Sequence, residues 1–301
     1  MAASFEENVR ALIVCPACQV PFRVSGEELV CPGCGFQGSI REEVVLVGAA
    51  RPASYFDERF ETMEAGHSES QGDWHFAYRQ QVDFLEGHLG TASTILDLGC
   101  GPSICYRKPA GAFLVGVEYS FPSVRANTAV DLRICGTAAA LPLRPASVDL
   151  AVCFYSLHHM VGQKVRESRG ILRGTFGEVQ KVLRPGGRLV AFEMRPWWAF
   201  ATIQGALWNS AKRVLGSRLD MYMWPEGEIA GIARECMPGA GFDVRPFASS
   251  MLEAFPPVFA LPWLKLPRAV YPLSPVAYVW TKPAPAGGAP DSRQPMSRGR
   301  E

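Results

Sequence analysis

A short apolar strand that runs into a glycine-rich turn is the feature that most restricts the fold of this chain. Residues 95–103 read Ile-Leu-Asp-Leu-Gly-Cys-Gly-Pro-Ser. Glycine lets the backbone approach a ligand closely, and such turns follow the first strand of doubly wound sheets. Seventeen residues past Gly101, a second apolar strand, 113–117, ends at Glu118, whose carboxylate can accept hydrogen bonds from both hydroxyls of a ribose. The order of strand, loop, strand and acid therefore predicts a nucleoside-binding edge on an α/β sheet.

Apolar runs alternate with helical stretches from Thr94 onward. This alternation indicates an α/β domain with a mostly parallel sheet, which we place at residues 94–282. The predicted strands are 95–98, 113–117, 148–154, 188–192, 242–247 and 276–280.

The parts on either side of this domain differ from it in composition. Residues 46–93 are predicted to form a helical connector or cap, with helices over 53–65 and 73–88. Residues 283–301 are rich in Pro, Gly, Ser and Arg and are predicted to be disordered.

Two cysteine pairs near the start of the chain predict a metal site in residues 1–45. They form a C-x2-C, twelve-residue, C-x2-C pattern, and two such knuckles close a four-sulfur tetrahedral site suited to structural zinc. The ligands would be Cys15, Cys18, Cys31 and Cys34. Four buried free cysteines are the alternative. A unit of this size cannot bury enough surface to fold alone, so we expect the ribbon to pack against the main domain or a partner.

The stretch 95–103 resembles motif I of the class I methyltransferases that use S-adenosylmethionine, and specifically the type 11 methyltransferase group. Further matches follow in the family's order over roughly residues 94–195, and more loosely to 282. They are the stretches 136–143, 146–152, 156–159 and 178–189. The resemblance implies a Rossmann-like α/β fold, with a seven-stranded sheet and helices on both faces, preceded here by the small zinc ribbon.

The resemblance also implies S-adenosylmethionine as the cofactor. Asp97 and Gly99 would face its methionine part, Glu118 its ribose, and the backbone near Thr137 and Ala138 its adenine. Thr137 stands where the family commonly has an acidic residue, so the adenine contact must be weaker or come from backbone. The predicted cofactor-binding residues are Asp97, Gly99, Cys100, Gly101, Glu118, Tyr119, Thr137, Ala138 and Phe154.

His158 is the candidate catalytic residue. It follows the predicted strand 148–154 at the edge where ligands bind in open α/β folds, and the ordinary pKa of imidazole suits proton transfer near neutral pH. A packing or substrate-shaping role for His158 remains the alternative, and Tyr155 and Ser156 are lesser candidates at the same edge.

Two apolar insertions, near 195–224 and 250–270, hold five of the seven tryptophans. Such segments can roof an apolar pocket, lie on a bilayer surface as a peripheral membrane contact, or pack into the core. We prefer a lipophilic or aromatic substrate.

Charge and hydropathy exclude several classes of protein. The chain has 30 Lys and Arg against 29 Asp and Glu, a net charge of +1, so no overall field attracts DNA or other polyanions. The longest uncharged apolar run, 196–211, is too short for a transmembrane segment, and the N-terminus lacks the features of a signal peptide, so we expect a cytoplasmic protein.

Together these features predict an S-adenosylmethionine-dependent methyltransferase that acts on oxygen, carbon or nitrogen of a small, lipophilic or aromatic molecule. The alternative is a ribosomal RNA guanine N-methyltransferase, because those enzymes share the layout of four-cysteine ribbon, connector and methyltransferase domain. An acidic ribbon, with three basic and six acidic residues in 1–45, argues against RNA as the partner. A non-catalytic binding protein with the same fold is a third hypothesis.

Overall fold

A computed structural model describes residues 4–48, 78–248 and 271–284. The predicted helix over 53–65, the start of the helix predicted over 73–88, the insertion near 250–270 and the tail from 285 onward lie outside the described residues.

Eleven strands and six α-helices make up the described part of the chain. The strands are β1 (Arg23–Ser25), β2 (Glu28–Val30), β3 (Gln37–Arg41), β4 (Val44–Val47), β5 (Thr94–Leu98), β6 (Phe113–Glu118), β7 (Leu132–Cys135), β8 (Val148–Phe154), β9 (Leu183–Pro196), β10 (Gly241–Pro246) and β11 (Leu273–Thr281). The helices are α1 (Phe5–Leu12), α2 (Arg79–Leu89), α3 (Phe121–Ala126), α4 (Val165–Val182), α5 (Trp198–Leu215) and α6 (Glu226–Cys236).

All these strands belong to one sheet with the order β1-β2-β3-β4-β7-β6-β5-β8-β9-β11-β10. The pairs from β4 to β9 are parallel, whereas β11 runs antiparallel between β9 and β10. The seven strands from β7 to β10 form the predicted methyltransferase-type sheet, so the fold class is confirmed. The chain order reverses between β5 and β8, which opens a crevice at the carboxyl ends of these strands.

Apolar side chains bury both faces of the sheet. The central strand β5 is a continuous apolar run in which Ile95, Leu96 and Leu98 are fully buried, as expected for a parallel strand covered on both sides. On one face, α2 contributes Leu85 to a cluster with Ile95. On the other face, α4 contributes Phe176 to a cluster with Leu96. The helices therefore lie on both sides of the sheet, as predicted.

The cysteine-rich segment is joined to this sheet through backbone hydrogen bonds. Strand β4 pairs in parallel with β7, and Val44 and Val45 are fully buried there. The segment's core is continuous with the core of the main domain. This pairing confirms that the ribbon packs against the main domain, and it covers what would otherwise be an open sheet edge at β7. The predicted boundary between residues 45 and 46 falls inside β4.

Helix α5 lies on the surface and is apolar. Trp208 is buried, but Trp198, Ile203 and Leu207 are exposed. No helix in the described ranges is long and apolar enough to cross a membrane.

The joint between β4 and β7 can be tested by removing buried methyl groups. We expect Val45→Ala to lower the free energy of unfolding by about 2 kcal/mol, because it leaves a cavity at the seam between ribbon and sheet. The matched control, Val30→Ala, changes a half-exposed valine of the same ribbon and should cost less than about 0.5 kcal/mol. Equal losses in urea unfolding of the two variants would contradict the role of the joint.

Candidate functional site

A cavity of about 840 Å³ opens at the carboxyl ends of β5, β6 and β8. Every residue that the sequence predicts to bind cofactor lines it. These residues are Asp97, Gly99, Cys100, Gly101, Glu118, Tyr119, Thr137, Ala138 and Phe154. The structure therefore brings together residues that are up to 57 positions apart in the chain, at the crevice where the strand order reverses.

The turn after β5 requires glycine for two physical reasons. Gly99 and Gly101 have φ angles of 73° and 55°, which side chains with a Cβ rarely adopt. A Cβ at position 99 would also overlap the side chain of Ser156, which comes from the loop after β8. The two loops thus meet at a distance that only glycine permits, and the floor of the cavity is bare backbone.

Glu118 is held at the end of β6 by backbone donors. Its Oε2 accepts a hydrogen bond from the amide of Gly101 at 3.2 Å, and its Oε1 accepts one from the amide of Ser120 at 2.9 Å. These bonds fix the carboxylate in the wall of the cavity beside the glycine turn. A fixed acceptor in this position suits a pair of ribose hydroxyls.

Asp97 is the most deeply buried acid of the cavity. Burial raises its pKa to about 7, the Tyr106 hydroxyl opposes this by donating a hydrogen bond of 2.7 Å, and the nearby charge of Glu118 raises the pKa further. Two carboxyl groups thus share one wall of the cavity and repel each other when both are charged. A ligand with positive charge would relieve this repulsion.

The segment after β7, which contains Thr137 and Ala138, forms another wall of the cavity, and the cysteine-rich segment supports it. The Thr137 hydroxyl accepts a hydrogen bond from the amide of Ala139 at 3.3 Å, so part of the hydrogen-bonding capacity of this hydroxyl is used within the turn itself. Behind the turn, Val47 of β4 packs against Gly136. The amide of Val14 donates to the carbonyl of Pro142, and the amide of Arg144 donates to the carbonyl of Leu12. The cysteine-rich segment therefore braces the wall that contains Thr137.

An aromatic cluster stands at the end of β8. Phe154 contacts Tyr78 and Tyr155 edge-on, with ring centroids 5.5 and 5.1 Å apart. Tyr155 has a φ of 53°, which is rare for a bulky residue and is typical of functional sites. Tyr78 and Tyr155 both line the cavity; Tyr155 was a lesser candidate at this edge, whereas Tyr78 was not predicted.

The two adjacent histidines after β8 lie in different places. His158 is buried, and its Nδ1 lies 2.7 Å from Oε2 of Glu193, which is buried as well. Among the described residues, His159 lines the cavity and His158 does not. His158 is therefore paired with Glu193 outside the cavity lining, and its catalytic role stays a prediction.

The far half of the cavity is lined by residues that were not among the predicted site residues, although part of it comes from the insertion near 195–224, one expected role of which is to roof an apolar pocket. One side comes from the loop and helix after β8, and the other from the end of α5 and the residues that follow. These residues are His159, Met160, Val161, Gln163, Ile171, Lys212, Gly216, Ser217 and Asp220. One signal was present in the sequence: Asp220 is the sole acidic residue between Glu193 and Glu226.

The four predicted zinc ligands form one cluster. Their Sγ atoms all lie within 4.8 Å of one another, with Cys15 and Cys34 at 3.6 Å and Cys18 and Cys31 at 3.3 Å. A tetrahedral zinc site with Zn–S bonds of about 2.3 Å separates its sulfurs by about 3.8 Å, so the cluster fits that ion. Because cysteine fills all four positions, a zinc ion here would be structural.

Comparison with known proteins agrees with this geometry. Residues 96–191, from β5 into β9, match the family model described as a methyltransferase domain. This chain carries a methyltransferase domain. The glycine turn, Glu118 and the loop after β8 all fall within the matched range.

Individual relatives extend the likeness. The chain is 30% identical over 208 residues to 24-methylenesterol C-methyltransferase 2 of Oryza sativa subsp. japonica, which covers 63% of this chain and 51% of the relative. The chain thus spans about half the length of this curated relative.

Two solved structures are similar to this chain, and the one with a TM-score of 0.50 shows the same fold. A chain from the complex of the Haloferax volcanii Trm112 methyltransferase activator with a methyltransferase is 16% identical, with a TM-score of 0.50 over 77% of this chain and 100% of that chain. An S-adenosylmethionine-dependent methyltransferase of Thermotoga maritima is 17% identical, with a TM-score of 0.48 over 76% of this chain and 100% of that chain.

The buried acid gives the methyltransferase domain a pH-dependent stability. The pKa of Asp97 is about 7 in the folded chain and about 3.9 in an unfolded one, so the folded state holds the proton more tightly. Its contribution is fully present below about pH 4 and is lost as pH rises through about 7.

We therefore expect Asp97→Asn to gain stability relative to the parent protein as pH rises from 4 to 8, by up to about 4 kcal/mol. Asp83→Asn, at an exposed position of α2, is the matched control and should show no such trend. Parallel pH profiles of the Asp97 variant and the parent in urea unfolding would contradict the burial of a charge at this site.

Proposed function

We propose that this chain transfers the methyl group of S-adenosylmethionine to a small lipophilic or aromatic molecule. The observation that carries the proposal is one cavity that joins the nine predicted cofactor residues to a second half, lined by both apolar and polar side chains. S-adenosylmethionine, when bound, supplies a methyl group on a positively charged sulfur.

The cofactor half suits this cation in shape and charge. Gly99 and Gly101 allow close approach of the backbone, and Glu118 offers a fixed acceptor to the ribose. A sulfonium or ammonium group beside Asp97 would lower its raised pKa, so binding of the cofactor would favour the charged carboxylate. The positive charge of the cofactor would therefore offset the repulsion between the Asp97 and Glu118 carboxylates, and this attraction would bind and orient the cofactor.

The acceptor half suits a lipophilic molecule that also carries a polar group. Met160, Val161 and Ile171 line it together with the Tyr78 ring, beside polar side chains, which are those of His159, Gln163, Lys212, Ser217 and Asp220. Pockets for small organic ligands have this make-up. The sterol in the name of the rice relative is also lipophilic, which supports this acceptor class.

Methylation of ribosomal RNA is the less favoured alternative. Phosphate contacts require basic surface, whereas residues 1–45 carry six acidic and three basic residues. Glu42 and Glu43 of this segment form ion pairs with Arg125 and Arg133 of the methyltransferase domain. The acidic composition and these ion pairs therefore favour a bracing role for the ribbon over RNA binding.

We propose that the ribbon holds one zinc ion and that the protein works in the cytoplasm. A reducing compartment keeps cysteines as free thiols for the metal.

A peripheral membrane contact stays a prediction, supported by the exposed Trp198, Ile203 and Leu207 of α5.

Loss of the Glu118 carboxylate tests the cofactor assignment. We expect Glu118→Gln to weaken S-adenosylhomocysteine binding by about ten-fold or more in calorimetry, because ribose hydroxyls would lose a charged acceptor. Glu43→Gln, which removes an exposed carboxylate at the ribbon joint, is the control and should bind like the parent protein. Equal affinities for the Glu118 variant and the parent would refute the assignment.

Metal content tests the ribbon. We expect one zinc per chain by elemental analysis, and a lower melting temperature for Cys31→Ser, because the thiolates must be held by metal to close the knuckles. The variant should also bind S-adenosylhomocysteine more weakly, since the ribbon braces the segment that contains Thr137. A zinc-free protein with an unchanged melting temperature for this variant would overturn the ribbon proposal.

A further inference from the structure

The acceptor half of the cavity contains a polar pair that no predicted site residue accounts for. His159 follows β8, and Asp220 comes from the segment after α5. Both line the same cavity as the cofactor residues. The pair thus faces the space where an acceptor molecule would lie beside the methyl group.

The contacts of His159 fix the orientation of its ring. Its Nδ1 lies 3.3 Å from the backbone carbonyl oxygen of Asp220 and 3.7 Å from Oδ2 of the Asp220 carboxylate. A carbonyl oxygen can only accept, so the proton of a neutral imidazole belongs on Nδ1. The lone pair is then on Nε2, at the opposite edge of the ring.

The surroundings keep this imidazole neutral near pH 7. Burial lowers the pKa of His159 well below its ordinary value, the nearby His158 lowers it further, and the Asp220 carbonyl opposes both. Among the described residues, the charged and titratable groups recorded around the ring are His158, whose ring centroid is 4.3 Å away, Asp220, and Lys212 next to Asp220. A neutral imidazole can take up a proton.

We propose that His159, oriented by Asp220, is the proton acceptor of this site and that the acceptor molecule carries a phenolic or enolic hydroxyl. This inference rests on the methyltransferase function proposed above and names its substrate class. In this step the hydroxyl proton goes to Nε2 of His159, and the oxygen forms a bond to the methyl carbon. The S–CH₃ bond breaks, and its electron pair stays on sulfur. The products are a methyl ether, S-adenosylhomocysteine and an imidazolium that later gives its proton to water.

The acidity of the hydroxyl decides between kinds of alcohol. A phenol, like the tyrosine side chain, has a pKa of about 10, whereas an aliphatic alcohol is close to water at about 15.7. Because His159 is a weak base, the acidity of the hydroxyl matters, and proton transfer from an aliphatic hydroxyl is less favourable than transfer from a phenol by about six powers of ten. The geometry and the weak base together favour the more acidic hydroxyl.

His158 differs from His159 in a way that separates their roles. Its Nδ1 faces the buried carboxylate of Glu193, and its ring lies against that of His159. His158 can therefore fix the position of His159 from behind while His159 contacts the acceptor.

The test compares two acceptors of the same shape that differ in their need for a base. With tritiated S-adenosylmethionine, 4-propylphenol must lose a proton during transfer, whereas 4-propylthiophenol is already ionised at pH 8. His159→Asn keeps a donor toward the Asp220 carbonyl and removes Nε2. We expect it to slow transfer to the phenol by about 10²- to 10⁴-fold and transfer to the thiophenol by less than about 3-fold.

A control variant and a direct readout complete the experiment. His88→Asn changes a histidine whose Nδ1 also contacts a backbone carbonyl, that of Phe84 at 2.9 Å, but which lies outside the cavity, and it should leave both rates unchanged. In ¹⁵N NMR of the S-adenosylhomocysteine complex, the Nε2 signal of His159 should be unprotonated at pH 7 and should shift when 4-propylphenol is added.

Several results would overturn the inference. They are equal losses for the phenol and the thiophenol, a selective loss of phenol transfer in His158→Asn with none in His159→Asn, a protonated His159 at pH 7, or no transfer to the phenol by a parent protein that binds S-adenosylhomocysteine. A parent protein that does not bind S-adenosylhomocysteine would overturn the methyltransferase proposal itself, and this inference with it.

Discussion

The loops that follow β5 and β8 touch where the strand order reverses, and the rest of the site depends on this contact. Gly99 lies so close to Ser156 that no other residue fits at position 99. The contact closes the floor of the cavity, places Asp97 and Glu118 on one side of it, and turns the chain after β8 toward the acceptor half. One close approach of two loops thus joins the cofactor half and the acceptor half in one cavity, which transfer between two ligands requires.

The cysteine-rich segment supports a wall of this cavity through backbone pairing. Strand β4 extends the sheet beyond β7, and the residues around Val14 hold the chain near Pro142. Two of its carboxylates are engaged by arginines of the methyltransferase domain. A metal that closes the knuckles would therefore stiffen one wall of the cavity from outside, because the ribbon and that wall share one sheet.

Sequence reasoning predicted the parts of the molecule that depend on local pattern. The six predicted strands, the glycine turn, the acid at the end of β6 and the two cysteine pairs each show a short signature, and all appear in the structure, whereas β7 was not among the predicted strands. It did not predict features that depend on contacts between distant segments. The pairing of β4 with β7 links residues about 90 positions apart, and the contact of His159 with Asp220 links residues 61 apart. Tyr155 was recognised as an edge residue, but its left-handed conformation follows from the close packing of the loops and not from its sequence.

The central claim is that this cavity methylates a small molecule. The most direct test supplies purified protein and tritiated S-adenosylmethionine to an extract of the source cells, and separates the products into organic-soluble, RNA and protein fractions. The account predicts label in the organic-soluble fraction, and less of it with Glu118→Gln. Label in RNA that ribonuclease releases, with none in the organic phase, would contradict the account and favour the ribosomal RNA alternative.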